Sequence, residues 1–372
     1  MFKKISLPKN ASPLKIDLMN PQKTVVIGMS GGVDSSVSAL LLKELGYRVI
    51  GLYMKNWEDT DGSCPGAEDY EDVVRVCDKL SIPHYTVNFV QEYWDLVFSH
   101  FVEELKLGYT PNPDVLCNKE IKFKTLFLKA KELGADFLAT GHYARAHEGK
   151  LLRGHDTNKD QTYFLYTLKE EVLQEVLFPI GHLNKKEVRA LALQHGLATA
   201  AKKDSTGICF IGKRPFKEFM GEYIAYQKGA FKTLSGKVVG THQGIAFYTI
   251  GQRKGLGIGG PGEAWFVVGK DVQENTVFVE QGYHHEALYH SELIATEISW
   301  VGAPPEFPLE CTAKIRYRQE DTRCTLYPLD DNQLRVVFDH PQRAITPRQA
   351  VVFYQGATCL GGALIKCAVK QS

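Results

Sequence analysis

Apolar and polar residues alternate with two different periodicities along this chain of 372 residues. In the first half, short β-branched runs alternate with stretches in which apolar residues recur every three or four positions. The predicted strands are Thr24 to Ile27, Val49 to Met54, His84 to Asn88 and Phe137 to Thr140, and the predicted helices include Tyr70 to Leu80 and Val115 to Leu133. This alternation is typical of a parallel, doubly wound α/β sheet.

The pattern changes after about Phe216, where glycine-rich turns separate short apolar runs and helical periodicity becomes scarce. The predicted strands are Trp265 to Val268, Thr276 to Glu280, Cys311 to Tyr317, Gln333 to Phe338 and Ala350 to Tyr354. Their spacing indicates a small all-β barrel. We therefore predict a flexible leader (1–23), a nucleotide-binding catalytic domain (24–215), a small basic connector domain (216–285) and a C-terminal β-barrel domain (286–372).

The composition, 44% hydrophobic and 23% charged, is typical of a globular protein. The chain has no run of eighteen apolar residues and no apolar N-terminal core of a secretory signal, so we expect a cytoplasmic protein without a membrane segment. Residues 1–23 contain five lysines and no arginine. A mitochondrial presequence remains an alternative there, but we interpret these residues as a leader.

The eight cysteines include no Cys-x-x-Cys pair, which fits neither a disulfide framework nor a standard zinc site. Most have apolar neighbours, and we expect them to be small core residues. They are Cys77, Cys311, Cys324, Cys359 and Cys367. Only Cys117 and Cys209 have neighbours that suggest chemistry.

Although the net charge is only +1, acidic and basic residues are concentrated in different segments of the chain. Residues 58–72 hold seven acids and no base, whereas residues 202–254 hold ten bases and three acids. Aromatic residues are interleaved with the bases, namely Phe216, Phe219, Tyr223, Tyr226 and Tyr248. This composition suits RNA phosphates and exposed bases, but a solvated basic face would look the same.

A glycine-rich turn lies between the first predicted strand and the first predicted helix. It reads Gly28, Met29, Ser30, Gly31, Gly32, Val33, Asp34, Ser35 and Ser36. Glycines let the backbone approach phosphate oxygens, and the helix N-terminus supplies N–H donors. The turn lacks the lysine of a P-loop and the spacing of a Rossmann fingerprint. A tight turn capped by Asp34 and Ser35 is the plainer alternative.

The second candidate centre combines two cysteines with an aspartate. Asp114 is predicted to cap the helix that follows it, which would place Cys117 in the first turn. The helix dipole there favours a thiolate, while the nearby carboxylate opposes it. Cys209 lies between glycines with basic residues nearby, which can depress a thiol pKa. Alternatively, Asp114 is only a cap, Cys117 only a small helical residue and Cys209 a buried one.

Several segments match known motifs. The turn carries the Ser-Gly-Gly-x-Asp-Ser signature of pyrophosphate-loop ATPases. It is followed by Asn112-Pro113-Asp114 with Cys117, by Ala139 to Tyr143, by Lys159-Asp160-Gln161 and by Asp204 to Cys209. In this order the segments resemble the bacterial tRNA-specific 2-thiouridylase family (MnmA) over nearly the whole chain after residue 23. The resemblance implies an adenine nucleotide α-hydrolase-like catalytic domain.

The resemblance also implies an activity, that of a tRNA-uridine 2-sulfurtransferase. In the family, ATP adenylates the C2 oxygen of the wobble uridine in tRNAs for lysine, glutamate and glutamine, and persulfide sulfur then displaces AMP. By position, Cys209 is implied to carry the persulfide, Cys117 to be the nucleophile that can form a disulfide with it, and Asp114 to be the general acid or base. The implied sulfur donor is a cysteine desulfurase or a sulfur-relay protein.

The resemblance to the family also implies which residues of this chain bind the nucleotide and the tRNA. Nucleotide contacts are implied for Gly28 to Ser35, Met54 and Gly141, with Mg²⁺ accompanying ATP but no assigned metal ligands. The uridine would lie near Asn112, Pro113 and Asp114, and further tRNA contacts are implied for Lys159, Asp160, Gln161, Arg316 and Tyr317. From the residues alone, Met54 could be core, Gly141 a turn and the charged residues solvated surface. His142 is expected to be a hydrogen-bonded histidine.

Two other functions remain open at this point. One is a different pyrophosphate-loop enzyme acting on a small molecule, such as an amidotransferase-type synthetase or an argininosuccinate-like ligase. The other is a tRNA-binding regulatory module whose cysteines sense oxidation. The paired cysteines and the basic segment disfavour the first, and tRNA-dependent release of AMP and pyrophosphate would exclude the second.

Overall fold

A computed structural model describes residues 23–58, 66–204 and 214–369 of the chain. Its strands in this part are β1 (Thr24–Met29), β2 (Arg48–Lys55), β3 (His84–Asn88), β4 (Phe137–Ala139), β5 (Ala144–His147), β6 (Lys150–Arg153), β7 (Val176–Leu177), β8 (Gly229–Lys232), β9 (Val238–His242), β10 (Trp265–Asp271), β11 (Thr276–Gln281), β12 (Tyr289–Trp300), β13 (Leu309–Lys314), β14 (Thr322–Leu329), β15 (Gln333–Arg343), β16 (Ala350–Gln355) and β17 (Thr358–Val369).

The α-helices are α1 (Val33–Glu44), α2 (Ala67–Leu80), α3 (Val90–Tyr93), α4 (Ser99–Lys106), α5 (Pro113–Leu116), α6 (Leu126–Glu132), α7 (Glu170–Leu173), α8 (Lys185–Gln194) and α9 (Phe216–Gly221). Two π-helical segments join neighbouring helices: Trp94–Phe98 connects α3 to α4, and Cys117–Thr125 connects α5 to α6. The wide turns of the second segment begin at Cys117, one of the predicted catalytic residues, and π-turns are frequent at functional sites.

The first half of the chain forms a parallel sheet with the strand order β3-β2-β1-β4-β7. Its central strand is almost entirely buried because helices cover both faces, which explains its continuous apolar run. Two apolar clusters flank the sheet, one around Val26 and Leu52 and the other around Ile27 and Val37. The predicted doubly wound α/β domain is confirmed.

The next part of the chain contains helix α9 and a four-stranded sheet in the order β10-β11-β8-β9. Its strands enclose a small core of Phe231, Tyr248, Val267, Val277 and Val279. In the last part, β12-β15-β14-β13-β16-β17 form a barrel that closes because β12 also pairs with β17. The predicted connector and C-terminal barrel therefore both exist as β structures.

One connection between these parts was not predicted. The hairpin β5–β6 follows the α/β strand β4 and pairs with the first residues of β17 in the barrel sheet, where Leu151 is opposite Cys359. The first and last parts of the chain thus share one hydrogen-bonded sheet. No helix in the described ranges is long and apolar enough to cross a membrane.

One predicted strand end and one predicted core cysteine are wrong. The strand predicted over Cys311 to Tyr317 ends at Lys314, because the chain turns there and Arg318 adopts a positive φ of 66°. Cys367 was expected in the core but is exposed on the last strand. Cys77, Cys324 and Cys359 are buried, as expected.

Candidate functional site

The glycine-rich turn lies at the carboxyl end of β1 and leads directly into α1. Gly31 has a φ of +70°, and a Cβ atom built on it would lie 2.4 Å from the backbone oxygen of Asp69. Inside the turn, the backbone N–H of Ser30 donates to Ser35 Oγ at 3.2 Å, and Ser35 Oγ donates to the Gly32 carbonyl at 3.1 Å. The turn is therefore closely held, and the first N–H groups of α1 remain available for an anion.

Gly141 follows β4 and lies beside this turn. A Cβ atom on Gly141 would be 2.7 Å from the backbone nitrogen of Ser35, so a larger residue would push against the turn. Met29 and Val33 have buried side chains, which leaves their backbone as the part that a ligand can reach. Met54 is half-buried at the end of β2 and packs against the core. The predicted nucleotide residues thus gather at one edge of the sheet.

Asp34 is held by two residues that the sequence analysis did not identify. Tyr143 Oη donates to Asp34 Oδ1 at 2.8 Å, and Lys185 Nζ contacts both carboxylate oxygens at 2.8 and 2.7 Å. Burial and the neighbouring Asp34 carboxylate raise the pKa of Tyr143, so its hydroxyl stays a donor. A cue for Lys185 was present, since Asn184 and Glu187 form a capping box that places it at the start of α8.

Lys185 also contacts a second carboxylate, Asp204, at 2.9 Å. Lys159 and Arg189 each contact Asp204 at 2.7 Å. Burial works against ionisation of Asp204, but hydrogen bonds from Lys159 and Lys185 outweigh it and hold its pKa well below the usual range. Asp204 directly precedes residues 205–213, and Cys209 lies outside the described residues. The network therefore connects the turn with the start of the segment that carries Cys209.

The helix that carries Asp114 and Cys117 begins differently from the prediction. Asn112 is the capping residue, because its side-chain oxygen accepts a hydrogen bond from the backbone of Asp114 at 3.1 Å. Pro113 takes the first helical position, which suits a residue without an N–H group. The prediction that Asp114 caps the helix is wrong, and Cys117 lies beyond the first turn. Cys117 is buried, and burial raises the pKa of Asp114 while Lys122 opposes that rise.

Lys122 is a further residue that the sequence analysis missed. It lies in the π-helical segment, and its Nζ donates to Asn118 Oδ1 at 2.9 Å. Asn118 is buried and donates to the Phe164 carbonyl at 3.0 Å, which fixes the amide that holds the lysine. The spacing of Asn118 and Lys122, four residues apart on a helix, was the available cue.

His142 is buried beside the same helix. Its Nδ1 lies 2.8 Å from Thr140 Oγ1, and its ring packs against Phe123 and Phe178. Burial, assisted by the positive charge of Lys122, lowers the pKa of His142 well below the usual value, so the ring is neutral. The expected hydrogen-bonded histidine is confirmed.

The predicted tRNA contacts fall into two groups. Asp160 is buried and accepts hydrogen bonds from Gly154 and Thr162, while Gln161 accepts one from the backbone of Tyr143 at 2.9 Å. Their polar atoms thus hold the loop beside the nucleotide turn. Lys159, as described, contacts Asp204, and a tRNA role for all three stays a prediction.

The second group lies after β13. Arg316 donates to the carbonyls of Ile250 and Ala344, at 2.9 and 3.2 Å, and to Thr346 Oγ1 at 2.6 Å. Tyr317 packs against Phe164 with ring centroids 4.5 Å apart. Both residues therefore support contacts between parts of the chain, and their tRNA role also stays a prediction.

The acidic and basic segments meet beside the nucleotide turn. Lys202 Nζ contacts Asp69 at 2.6 Å and Asp72 at 2.5 Å, near the N-terminus of α2. Asp69 is also the residue that approaches Gly31. The end of the acidic segment, for which the sequence suggested no role, thus supports the turn.

Three family models match successive parts of the chain. The tRNA methyl transferase HUP domain matches residues 23–213, the tRNA methyl transferase PRC-barrel domain residues 217–281, and the aminomethyltransferase β-barrel domain residues 290–365. Among solved structures, the U34-tRNA thiolase of Methanococcus maripaludis is similar at 22% identity and a TM-score of 0.36, over 52% of this chain and 63% of that one.

Curated relatives match over almost the full length. The tRNA-specific 2-thiouridylase of Protochlamydia amoebophila is 60% identical over 355 residues, covering 94% of each chain. That of Halalkalibacterium halodurans is 58% identical over 364 residues, covering 96% of this chain and 98% of the relative. With this identity and coverage, the chain belongs to the tRNA-specific 2-thiouridylase family.

Proposed function

We propose that this protein is a tRNA-uridine 2-sulfurtransferase, which replaces the C2 oxygen of the wobble uridine with sulfur at the expense of ATP. The observation that carries the proposal is the identity of about 60% to tRNA-specific 2-thiouridylases along nearly the whole chain. The supporting geometry is a glycine-rich turn that leads into the N-terminus of α1, together with a helix that carries Asp114 and the buried Cys117. We place the reaction in the cytoplasm and assign the catalytic steps to residues 24–215.

We assign ATP to the turn between β1 and α1. The backbone of Gly28 to Ser35 would hold the phosphates, and Met54 and Gly141 lie at strand ends where a doubly wound sheet binds its ligand. Mg²⁺ accompanying ATP would supply positive charge that neutralises the charge developing on the phosphates. No group of three or more His, Cys, Asp or Glu residues in the described ranges is arranged to hold a metal.

The chemistry divides into three displacements. First, the uridine C2 oxygen attacks the α-phosphorus of ATP and pyrophosphate leaves. Next, the terminal sulfur of a Cys209 persulfide attacks C2 and AMP leaves with the former C2 oxygen. Cys117 then attacks Cys209 Sγ, which forms a Cys117–Cys209 disulfide and leaves the sulfur on the base. An external thiol reductant restores both cysteines, and a cysteine desulfurase or relay protein reloads Cys209.

Asp114 would exchange protons with the uridine or with Cys117, since it lies three residues before Cys117 on the same helix. Asn112 and Pro113 at the helix start would position the base. Lys159, Asp160, Gln161, Arg316 and Tyr317 are the proposed further tRNA contacts, and the basic segment 202–254 supplies charge for the RNA backbone. The proposed substrates are the wobble-uridine tRNAs for lysine, glutamate and glutamine.

Electrophoresis in a mercury-containing gel tests the proposal, because thiolated tRNA binds mercury and migrates more slowly. Purified protein, ATP, Mg²⁺, a persulfide donor and wobble-uridine tRNA should produce a retarded band that disappears without ATP. Cys117→Ser and Cys209→Ser should abolish the band, whereas Cys367→Ser, which changes an exposed thiol, should not. Bound tRNA that stays unretarded with a loaded donor would contradict the proposal.

A further inference from the structure

Two cysteines in the C-terminal barrel face each other on neighbouring strands. Cys311 on β13 and Cys324 on β14 are directly opposite in the antiparallel register, and their sulfur atoms are 3.7 Å apart. Opposite residues of such a pair have Cα atoms about 4.5 to 5.5 Å apart, which is within the range that a disulfide spans. The backbone is therefore already placed for a covalent link, and only rotation of the side chains is needed.

The two thiols differ in their surroundings. Cys324 is buried in the barrel core, whereas Cys311 is half-buried. The ladder between β13 and β16 covers Thr312 to Lys314 only, so Cys311 lies beyond its end, where a small molecule can reach it. The hydrogen bond with Cys311 and burial both raise the pKa of Cys324. Cys311 is thus the thiol that an outside reagent can reach first, whereas Cys324 stays buried and protonated.

We propose that Cys311 and Cys324 form a reversible cross-strand disulfide when the protein meets a low-molecular-weight disulfide. The Cys311 thiolate attacks one sulfur of the reagent, which forms a mixed disulfide and releases one thiolate. Cys324 then loses its proton and attacks Cys311 Sγ, which releases the second thiolate. The two protein thiols are oxidised, and the reagent is reduced to two thiols.

The disulfide would close the hairpin β13–β14 with its ends 13 residues apart in sequence. Closing a loop of this size restricts the open hairpin far more than the native one. Opening of the hairpin should therefore become roughly 100-fold rarer, the factor that corresponds to the lost chain entropy of such a loop. The reaction occurs in the barrel and is independent of the proposed tRNA chemistry.

Treatment with glutathione disulfide, followed by alkylation and tryptic peptide mapping, tests the proposal. Cleavage after Lys314 and Arg323 separates the two cysteines into different peptides, so a linked pair is recognised by mass. The exposed Cys367 serves as the internal control, since its glutathionylation shows that the reagent acted. We expect a Cys311–Cys324 peptide pair that dithiothreitol separates, and slower amide hydrogen exchange in β13 and β14.

The order of attack is tested with variants. Cys324→Ser should leave glutathione bound to Cys311, and Cys311→Ser should give no linked pair and no change in exchange. Cys324→Ala replaces the first variant if the buried serine prevents folding. Modified Cys367 together with two unmodified barrel thiols, or a lasting mixed disulfide on Cys311 of the unaltered protein, would overturn the proposal.

Discussion

At the scale of single residues, Lys122 acts on two neighbours at once. Burial raises the pKa of Asp114 and lowers that of His142, and the positive charge of Lys122 opposes the first shift and adds to the second. The same cation therefore favours a charged carboxylate on one neighbour and an uncharged ring on the other. Because the buried Asn118 amide holds its Nζ, this influence is fixed in space.

Replacing Lys122 with methionine should make Asp114 harder to ionise, since burial would then act without opposition. If thiolation uses ionised Asp114, the acidic limb of its pH–rate profile should move to higher pH. The matched control is Lys124→Met, which removes an exposed lysine paired with Glu120 on the same segment. An acidic limb that coincides in all three proteins would show that Lys122 does not influence the reactive carboxyl group.

His142 gives a prediction about stability. Its folded pKa is well below 6.5, whereas the unfolded chain binds a proton near pH 6.5. The unfolded state therefore binds more protons at acidic pH, and stability falls as the pH is lowered through 6.5. His142→Gln, which keeps a hydrogen-bonding side chain near Thr140, should reduce this dependence by up to about 1.4 kcal/mol per pH unit below pH 6.

Urea unfolding of both proteins between pH 5 and 7.5 measures this difference. Parallel plots of unfolding free energy against pH would rule out His142 as a source of the acid sensitivity.

The residue pattern was sufficient to single out the glycine-rich turn, Asp114 and Cys117 as candidates, because these lie in short segments whose chemistry is local. It did not reveal Tyr143 and Lys185 as partners of Asp34, which are 109 and 151 residues away in sequence. Only folding brings such partners together, and no spacing rule encodes them.

At the scale of elements, the contact between the nucleotide turn and α2 depends on Gly31. Any side chain there would have to adopt the left-handed region and would also collide with the Asp69 backbone. Gly46, just after α1, shares the positive φ, at +86°, but a Cβ atom there meets nothing within 4 Å. Comparing substitutions at the two glycines therefore distinguishes the effect of backbone strain from the effect of a steric collision.

Gly31→Ala and Gly46→Ala should each lose about 1 to 2 kcal/mol from the left-handed backbone. Only Gly31→Ala should also weaken ATP binding, by at least about tenfold, because the collision displaces the turn from phosphate. Calorimetric titration with ATP measures the affinities, and thermal unfolding measures the stabilities. Equal ATP affinity in the two variants would contradict the assigned role of the turn.

The elements that the sequence analysis named lie within about five residues of the observed ones, because their apolar periods are local, but others, including β12, β14 and β17 of the barrel, were not predicted. The helix cap was misplaced because both Asn112 and Asp114 are good caps, and Pro113 between them decides the choice by occupying the first helical position. The π-helical turns could not be predicted at all, since they depend on how the helix packs rather than on its own sequence.

At the scale of the whole molecule, three parts of the chain meet at the segment that precedes the helix carrying Asp114. Lys270 Nζ donates to the Gly108 carbonyl at 2.6 Å, and Gln349 donates to the Thr110 carbonyl. Nearby, Arg348 contacts Glu104 at 2.7 Å. The middle and C-terminal parts thus both hold the segment that leads to Asn112.

Lys270 makes this junction sensitive to pH. Burial lowers its pKa from 10.5 to about 8. Between these values the unfolded chain binds the extra proton, so this lysine makes stability rise with pH from about 8 to 10.5. Lys270→Met should remove that rise, seen as the difference in unfolding free energy between the two proteins.

The exposed Lys366→Met is the control, because it changes the same charge at the surface. Urea unfolding from pH 7.5 to 10 measures all three proteins. A Lys270→Met protein whose pH dependence matches that of the control would contradict a buried, proton-releasing lysine at the junction.

The order of the α/β domain, the connector and the barrel could be predicted from the change in apolar periodicity and glycine content after Phe216. The contacts between these parts could not be predicted, because the sequence of an edge strand does not indicate which strand it pairs with. Leu152 and Thr358, paired through β6 and β17, illustrate this limit.

That shared sheet has a consequence for how the protein is made. Synthesis runs from the N-terminus, so β6 emerges from the ribosome about 200 residues before its partner strand β17. At usual translation rates the hairpin waits roughly 10 to 40 s with an unpaired edge. An open strand edge readily pairs with other chains. During this interval the hairpin edge is open to pairing with other chains, and truncation before β17 would make the exposed edge permanent.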